Sequence, residues 1–246
     1  MNADPAAQLR LLDLQAADTA LAQLRHRRAT LPELARIAAG EHQAETVRTQ
    51  RVESQTALGD IAEEQRRLEN EVDTVRTRAA RDNQRMSAGG VPAKELEGLQ
   101  HELVSLARRQ SSLEDELLEF MEQRETIESE LAQRDGELAA LKTDVSDLEA
   151  VRDSAFAAID DAARAHQQDR EQIAVELPAD LLALYEKVAA ASGGVGAAAI
   201  RQRRCQGCHL ELAGNELTVL RSAAPDAVVR CENCRRIFIR TAESGL

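Results

Sequence analysis

Apolar residues recur at steps of three and four through most of the chain. From Leu96 one series runs Leu96, Leu103, Leu117, Leu131, Leu138 and Val145, and a second runs Leu99, Leu106, Leu113, Phe120, Ile127, Leu141 and Leu148. Together they keep an a/d register for about eight heptads, the pattern of a coiled-coil seam. Gln110, Arg124, Arg134 and Arg152 fall on the same seam as polar exceptions. The first half carries a matching series, Val47, Leu58, Ile61, Leu68, Val72, Val75, Ala79 and Met86, with Leu14, Leu21, Leu24, Leu31 and Ile37 upstream. Between the halves lies Ser-Ala-Gly-Gly-Val-Pro at 87–92. Paired glycines end a helix and a proline opens the next, so two long arms are expected to fold back on each other as an antiparallel hairpin. Each arm has roughly 80 residues, about 120 Å of helix.

Folding about Gly89 and Gly90 pairs residue i with roughly residue 179 − i if the loop is symmetric. That places Ile127 opposite Val52 and Arg134 opposite Glu45. Near 30–32 the pattern breaks: Thr30-x-x-Glu33 has the form of a capping box, with Pro32 in the first turn. After Leu177-Pro178 a short helix is expected, with Leu181, Leu184 and Val188 on one face, closed by Ser192-Gly193-Gly194. Tyr185 lies on it and is read as a packing residue. The expected organisation is a hairpin over 1–176, a connecting helix over 177–194 and a metal module over 195–246. The fold class is mainly α, with a small terminal ribbon.

The chemistry is concentrated in that last segment. Cys205-x-x-Cys208 and Cys231-x-x-Cys234 are the only cysteines, and 22 residues separate the pairs. Two such turns present four thiolates to one tetrahedral ion, and zinc suits a closed four-sulfur site. One structural zinc held by Cys205, Cys208, Cys231 and Cys234 is therefore expected, with no open position for catalysis. A redox pair would sit at a helix start in a βαβ setting, which the pattern lacks. Alternation in 209–212 and 237–239 predicts short strands leaving each knuckle, joined antiparallel. Asn215 is read as the cap of a short helix.

Composition sharpens this picture. Aromatics make up 2% of the 246 residues and charged residues 30%, which favours long helices over a compact aromatic core. The net charge is −12, yet from Val195 onward there are eight Arg against five acids. Arg201, Arg203, Arg204, Arg235 and Arg236 flank the knuckles as candidate contacts for nucleic acid or an acidic protein. No stretch approaches the roughly 20 apolar residues of a membrane span, and the opening Met-Asn-Ala-Asp-Pro lacks signal-peptide features. A cytoplasmic protein without a small-molecule substrate is expected. Scattered histidines and the absence of a glycine-rich phosphate loop point away from an enzyme.

The segment 94–103 (Lys-Glu-Leu-Glu-Gly-Leu-Gln-His-Glu-Leu), the run 113–122 and the end from Leu181 to Ile237, with its two Arg-Cys-x-x-Cys units, resemble one bacterial family. These are the C4-type zinc ribbon proteins with an N-terminal coiled-coil hairpin. The resemblance spans nearly the whole chain and implies the hairpin, the ribbon and zinc on the four matching cysteines. It also implies a role as an adaptor, which in some relatives serves an alternative sigma factor and export components, or in nucleic-acid binding. The expected function is a non-enzymatic zinc-binding adaptor for protein partners, with a nucleic-acid-binding regulator as the alternative.

Overall fold

The computed structural model describes all residues 1–246. Its elements are α1 (Pro5–Ala29), α2 (Pro32–Ser87), α3 (Ala93–Glu176), α4 (Ala179–Ala191), β1 (Ala197–Arg201), β2 (Arg204–Cys205), α5 (Gly214–Ser222) and β3 (Ile237–Ile239). The fold is mainly α: long helices form a coiled-coil hairpin, followed by a small strand-containing ribbon. Two compact units emerge. One is Ala35–Glu149, and the other joins Met1–Leu34 to Ala150–Leu246. These units divide the chain at other points than 176/177 and 194/195, because early residues pack with late ones.

In the unit Ala35–Glu149 the turn is made by Gly89 and Gly90, both left-handed at φ 74° and 79°, where a side chain is strained. The amides of Glu95 and Leu96 then donate to the Pro92 carbonyl and start α3. The seam is apolar: Leu68, Val72 and Leu113 form one buried cluster, and Ala44, Val47 and Leu138 another. Each such leucine contributes about 1.5–3 kcal/mol on burial.

The register differs from the symmetric expectation. Gly40 lies against Val145, so close that a Cβ on it would meet Val145 Cγ2 at 2.8 Å. Arg51 pairs with Asp135 at 2.6 Å and Arg76 with Glu114 at 2.6 Å. Arg134 reaches Ser54 and Glu130, not Glu45, which pairs with Arg48 on its own helix. Matching of apolar layers along the whole seam sets the register, and the midpoint of the turn does not. The exposed pairs add little energy individually, since solvent screens them.

The second unit gathers residues from distant parts of the sequence. Its core contains Ala3, Leu11 and Leu14 from the start, Ile173 and Leu177 from around the end of α3, Leu181, Tyr185 and Val188 from α4, and Ala197, Ile237 and Ile239 from the strands. Asp4 caps α1 by accepting from the Ala6 amide at 2.7 Å, with Pro5 in the first turn. Ahead of the cap, Asn2 bridges to Ala227, and the Ala3 amide donates to the Asp226 carbonyl at 2.8 Å. The buried Gln8 amide donates to the carbonyls of Ala3 and Asp226. At the other end of α1, the Thr30 hydroxyl donates to the His26 carbonyl at 2.8 Å. Thr30 thus closes α1 and leaves the expected capping box with Glu33 unformed.

Gln15 is the central polar residue of this unit. Its Oε1 accepts from the Gly196 amide at 2.7 Å and lies 3.2 Å from the Tyr185 hydroxyl oxygen, and its Nε2 donates to the Gly194 carbonyl at 3.1 Å. The Tyr185 hydroxyl gives its one proton to Asp18 at 2.6 Å, and Arg170 donates to the same carboxylate at 2.7 Å. Burial, then the neighbouring Asp18, raises the Tyr185 pKa, so the phenol stays a donor. Tyr185 is fully buried, as a packing residue would be. Gly196 is pressed onto it: an added Cβ would meet Tyr185 Cδ2 and the Tyr185 carbonyl oxygen, each at 2.7 Å.

Two stability outcomes are expected. Leu113→Ala should cost about 2–5 kcal/mol by opening a cavity in the seam. Gly196→Ala should cost about 1–3 kcal/mol, because backbone as well as side chain must move. Denaturant melts followed by helical circular dichroism measure both, and a Gly196→Ala chain as stable as the unaltered one would contradict the close packing.

Candidate metal centre

The ribbon strands are too short to persist alone. Two, three and five residues form a three-stranded sheet in the order β2-β1-β3. β1 runs antiparallel to β2 but parallel to β3, with Ala197 opposite Ile237 and Ala199 opposite Ile239. This corrects the expectation of antiparallel strands joining the knuckles; the long connection carrying α5 makes a parallel return possible. The 209–212 segment contributes one isolated bridge, Glu211 with Arg204. The cap of α5 differs too. Ala213 precedes the helix, its amide donating to Glu216 Oε2 at 3.2 Å, while Glu216 Oε1 accepts from the Glu232 amide at 3.0 Å. The buried Glu216 therefore ties α5 to the second knuckle, a role expected of no residue in the sequence pattern.

The two knuckles repeat one construction. The Cys205 amide donates to the Leu210 carbonyl at 3.0 Å and the His209 amide donates to the Cys205 carbonyl at 2.8 Å. In the second knuckle the Cys231 amide donates to the Arg236 carbonyl and the Arg235 amide to the Cys231 carbonyl, both at 2.9 Å. His209 and Arg235 occupy equivalent left-handed positions, at φ 60° and 64°. Amides inside the turns point at sulfur: Gly207 N–H to Cys205 Sγ and Cys234 N–H to Cys231 Sγ, each 3.4 Å. Such donors stabilise thiolates.

All four sulfurs lie within 4.8 Å of one another. Cys205 Sγ is 3.8 Å from Cys234 Sγ, and Cys208 Sγ is 4.0 Å from Cys231 Sγ. Thiolates about 2.3 Å from a tetrahedral zinc sit about 3.8 Å apart, so the spacing fits the ion. A disulfide needs sulfurs near 2.05 Å, and all four cysteines are free. The donor set is that of one structural zinc, which fills its coordination with protein sulfur. The cysteines also line the ribbon core with Ala198, Ile200, Leu212, Leu220 and Phe238.

Protonation follows from the surroundings. Burial pushes the Cys205 thiol up to about 12 and raises that of Cys231. At Cys234 the same burial is outweighed by hydrogen bonds from the Arg236 amide and the Cys231 thiol, which bring it down to about 7. Cys234 is thus more readily a thiolate near neutral pH than Cys205 or Cys231.

The five candidate arginines have different fates. Arg236 is drawn inward: its guanidinium donates to the carbonyls of Val195 (3.1 Å), Gly207 (2.9 Å) and Ser192 (3.0 Å). It fastens the two knuckles and the connector together. Arg201 pairs with Glu243 at 2.6 Å. Arg203 donates to the Gly245 carbonyl at 3.0 Å and stands with Gln202 in a left-handed two-residue turn between β1 and β2. Arg204 and Arg235 are exposed and make no ion pair.

Residues 14–193 match the family model of the CT398-like coiled coil hairpin domain, and residues 204–237 match the C4-type zinc ribbon domain. An uncharacterized protein of Mycobacterium tuberculosis is 36% identical over 240 residues, covering 98% of each chain. A solved structure from Mycobacterium smegmatis superposes with a TM-score of 0.87 at 34% identity, covering 98% of this chain and all of its own. The CT398 structure from Chlamydia trachomatis gives a TM-score of 0.75 at 19% identity, covering 96% and 98%, and shares the fold.

Two outcomes test the centre. Cys231→Ser should abolish stoichiometric zinc and raise amide exchange in 197–239 and in α1 and α4, which share its core, while 35–149 stays protected. Zinc affinity should also fall by more than about tenfold per pH unit on acidification from about pH 8 to 6. The sign follows from the thiols: those of Cys205 and Cys231 lie above neutrality, so metal must displace their protons, and each is harder to displace as pH falls. Competition with a chromophoric chelator measures the slope; a flat profile would contradict thiolate ligation.

Proposed function

Since the chain belongs to the CT398-like coiled-coil hairpin family and carries a C4-type zinc ribbon, we propose that it is a non-enzymatic adaptor of the cytoplasm. A coiled coil and a zinc ribbon together fit a non-enzymatic scaffold. The observation that carries the reading is the closed four-thiolate centre, because four protein sulfurs fill the coordination of a tetrahedral zinc. The metal then holds a shape and leaves the surfaces of the helices and the ribbon to bind partners. No helix is long and apolar enough to cross a membrane. The hairpin arms supply one docking surface and the ribbon supplies another.

A second reading, a nucleic-acid-binding regulator, draws support from Arg203, Arg204 and Arg235, the candidate arginines left exposed without an ion pair. Arg203 stands close by in the turn, whereas Arg236 serves inside the ribbon. Two or three phosphate contacts give a shallow salt slope, unlike the six to ten of a strong binder.

A photo-crosslinking residue placed at Ser111 on the hairpin, and separately at Arg235 on the ribbon, tests these readings in the source cell. Nuclease-resistant protein adducts at both positions are expected of an adaptor. Nucleic-acid adducts confined to Arg235, with none of protein, would replace it with the regulator.

A further inference from the structure

The outward side of α3 carries an apolar stripe that the hairpin does not use. Leu106, Leu113, Leu117 and Phe120 face the seam, buried or half-buried. Val104, Leu118 and Met121 remain 53%, 57% and 47% exposed. With the exposed small residues Ala107 and Ser111 they follow steps of three, four and seven, which places them along one side of the helix. The stripe from 104 to 121 is about 26 Å long, the length of a helix of about 17 residues.

Its second half, around Leu118 and Met121, is acidic, whereas Arg108 and Arg109 lie beside the first half. Residues 113–130 hold eight carboxylates against one arginine. Glu114, Glu128 and Glu130 are engaged by arginines. Asp115, Glu122 and Glu125, which border Leu118 and Met121, are exposed and make no ion pair. An apolar strip edged by unpaired carboxylates complements an amphipathic helix whose apolar face is flanked by Lys or Arg. The same charge repels phosphate backbones, and it repels the identical face of a second copy.

We propose that this face of α3 docks a basic amphipathic helix of a partner protein. The proposal rests on the adaptor reading and names the chemistry of one partner. Leu118 and Met121 supply the apolar contact, and Asp115, Glu122 and Glu125 steer and orient the incoming helix.

The test uses the zinc-loaded full chain and a fluorescent peptide of about 18 residues with leucines on one helical face and lysines beside them, followed by anisotropy. A peptide of the same composition in scrambled order, without an apolar face, should bind at least about tenfold more weakly. Leu118→Ser with Met121→Ser should weaken the amphipathic peptide at least about tenfold. Glu122→Gln with Glu125→Gln should weaken it and flatten its salt dependence. These residues lie outside the seam, so unchanged thermal melts are expected for both double variants. Equal binding of the scrambled peptide, or unchanged affinity in the Leu118→Ser/Met121→Ser chain, would overturn the proposal. If the peptide fails while protein adducts at Ser111 persist, the partner chemistry is wrong and the adaptor reading stands. If neither Ser111 nor Arg235 yields a protein adduct, both fall.

Discussion

Four sulfur atoms held within 4.8 Å of one another place the tightest demand on this chain. Strands of two, three and five residues cannot set that spacing by their own pairing, and the ribbon core of seven buried residues is small. The metal supplies what the sheet lacks, since binding and folding of such a module are one equilibrium. Much else follows from fixing the knuckles. Cys231 anchors the turn that leads into β3, and β3 places Ile237 and Ile239 in a core shared with α1, α3 and α4. Glu216 and Arg236 add side-chain ties between segments whose backbones barely pair. A structural ion thus reaches, through one three-residue strand, into helices that contain none of its ligands.

The helical unit obeys a different constraint. Its order comes from a long periodic seam, in which no single contact dominates and many leucines contribute comparably. Cross-arm pairs such as Arg51 with Asp135 and Arg78 with Glu102 lie at the surface and refine orientation more than they stabilise. Seam polar groups such as Ser54 and Arg134 satisfy each other and leave the apolar layers to fix the register. Because the seam absorbs so little of the surface chemistry, the outer faces are free to diverge in charge and in exposed side chains.

What the sequence made legible was what repeats locally. Heptads declare a coiled coil, a Gly-Gly-x-Pro declares its turn, and paired Cys-x-x-Cys units declare a tetrahedral metal. The missed features all depend on which distant segments meet. Gln8 and Gln15 read as ordinary polar positions of a helix, yet each satisfies backbone groups more than two hundred or about one hundred and eighty residues away. Asn215 resembled a cap, but Glu216 reaches both the helix start and the second knuckle. The five flanking arginines were alike in sequence, and only the packing of the connector separates the inward Arg236 from the exposed Arg235. The hairpin register was off because symmetric folding ignores how apolar layers of unequal size choose to interlock.

The bridge from Asn2 to Ala227, with the Gln8 amide beside it, bears on the order in which a ribosome can deliver this fold. Synthesis proceeds at about 5–20 residues per second, and segments fold as their contacts emerge. Residues 35–149 need only each other, so they can pair while translation continues. The first helix has no such luck: its burial partners in α4, β1 and β3 are made last. For most of its synthesis the nascent chain therefore exposes Leu11 and Leu14 unprotected. β3, made after all five helices, is the piece that finally covers α1.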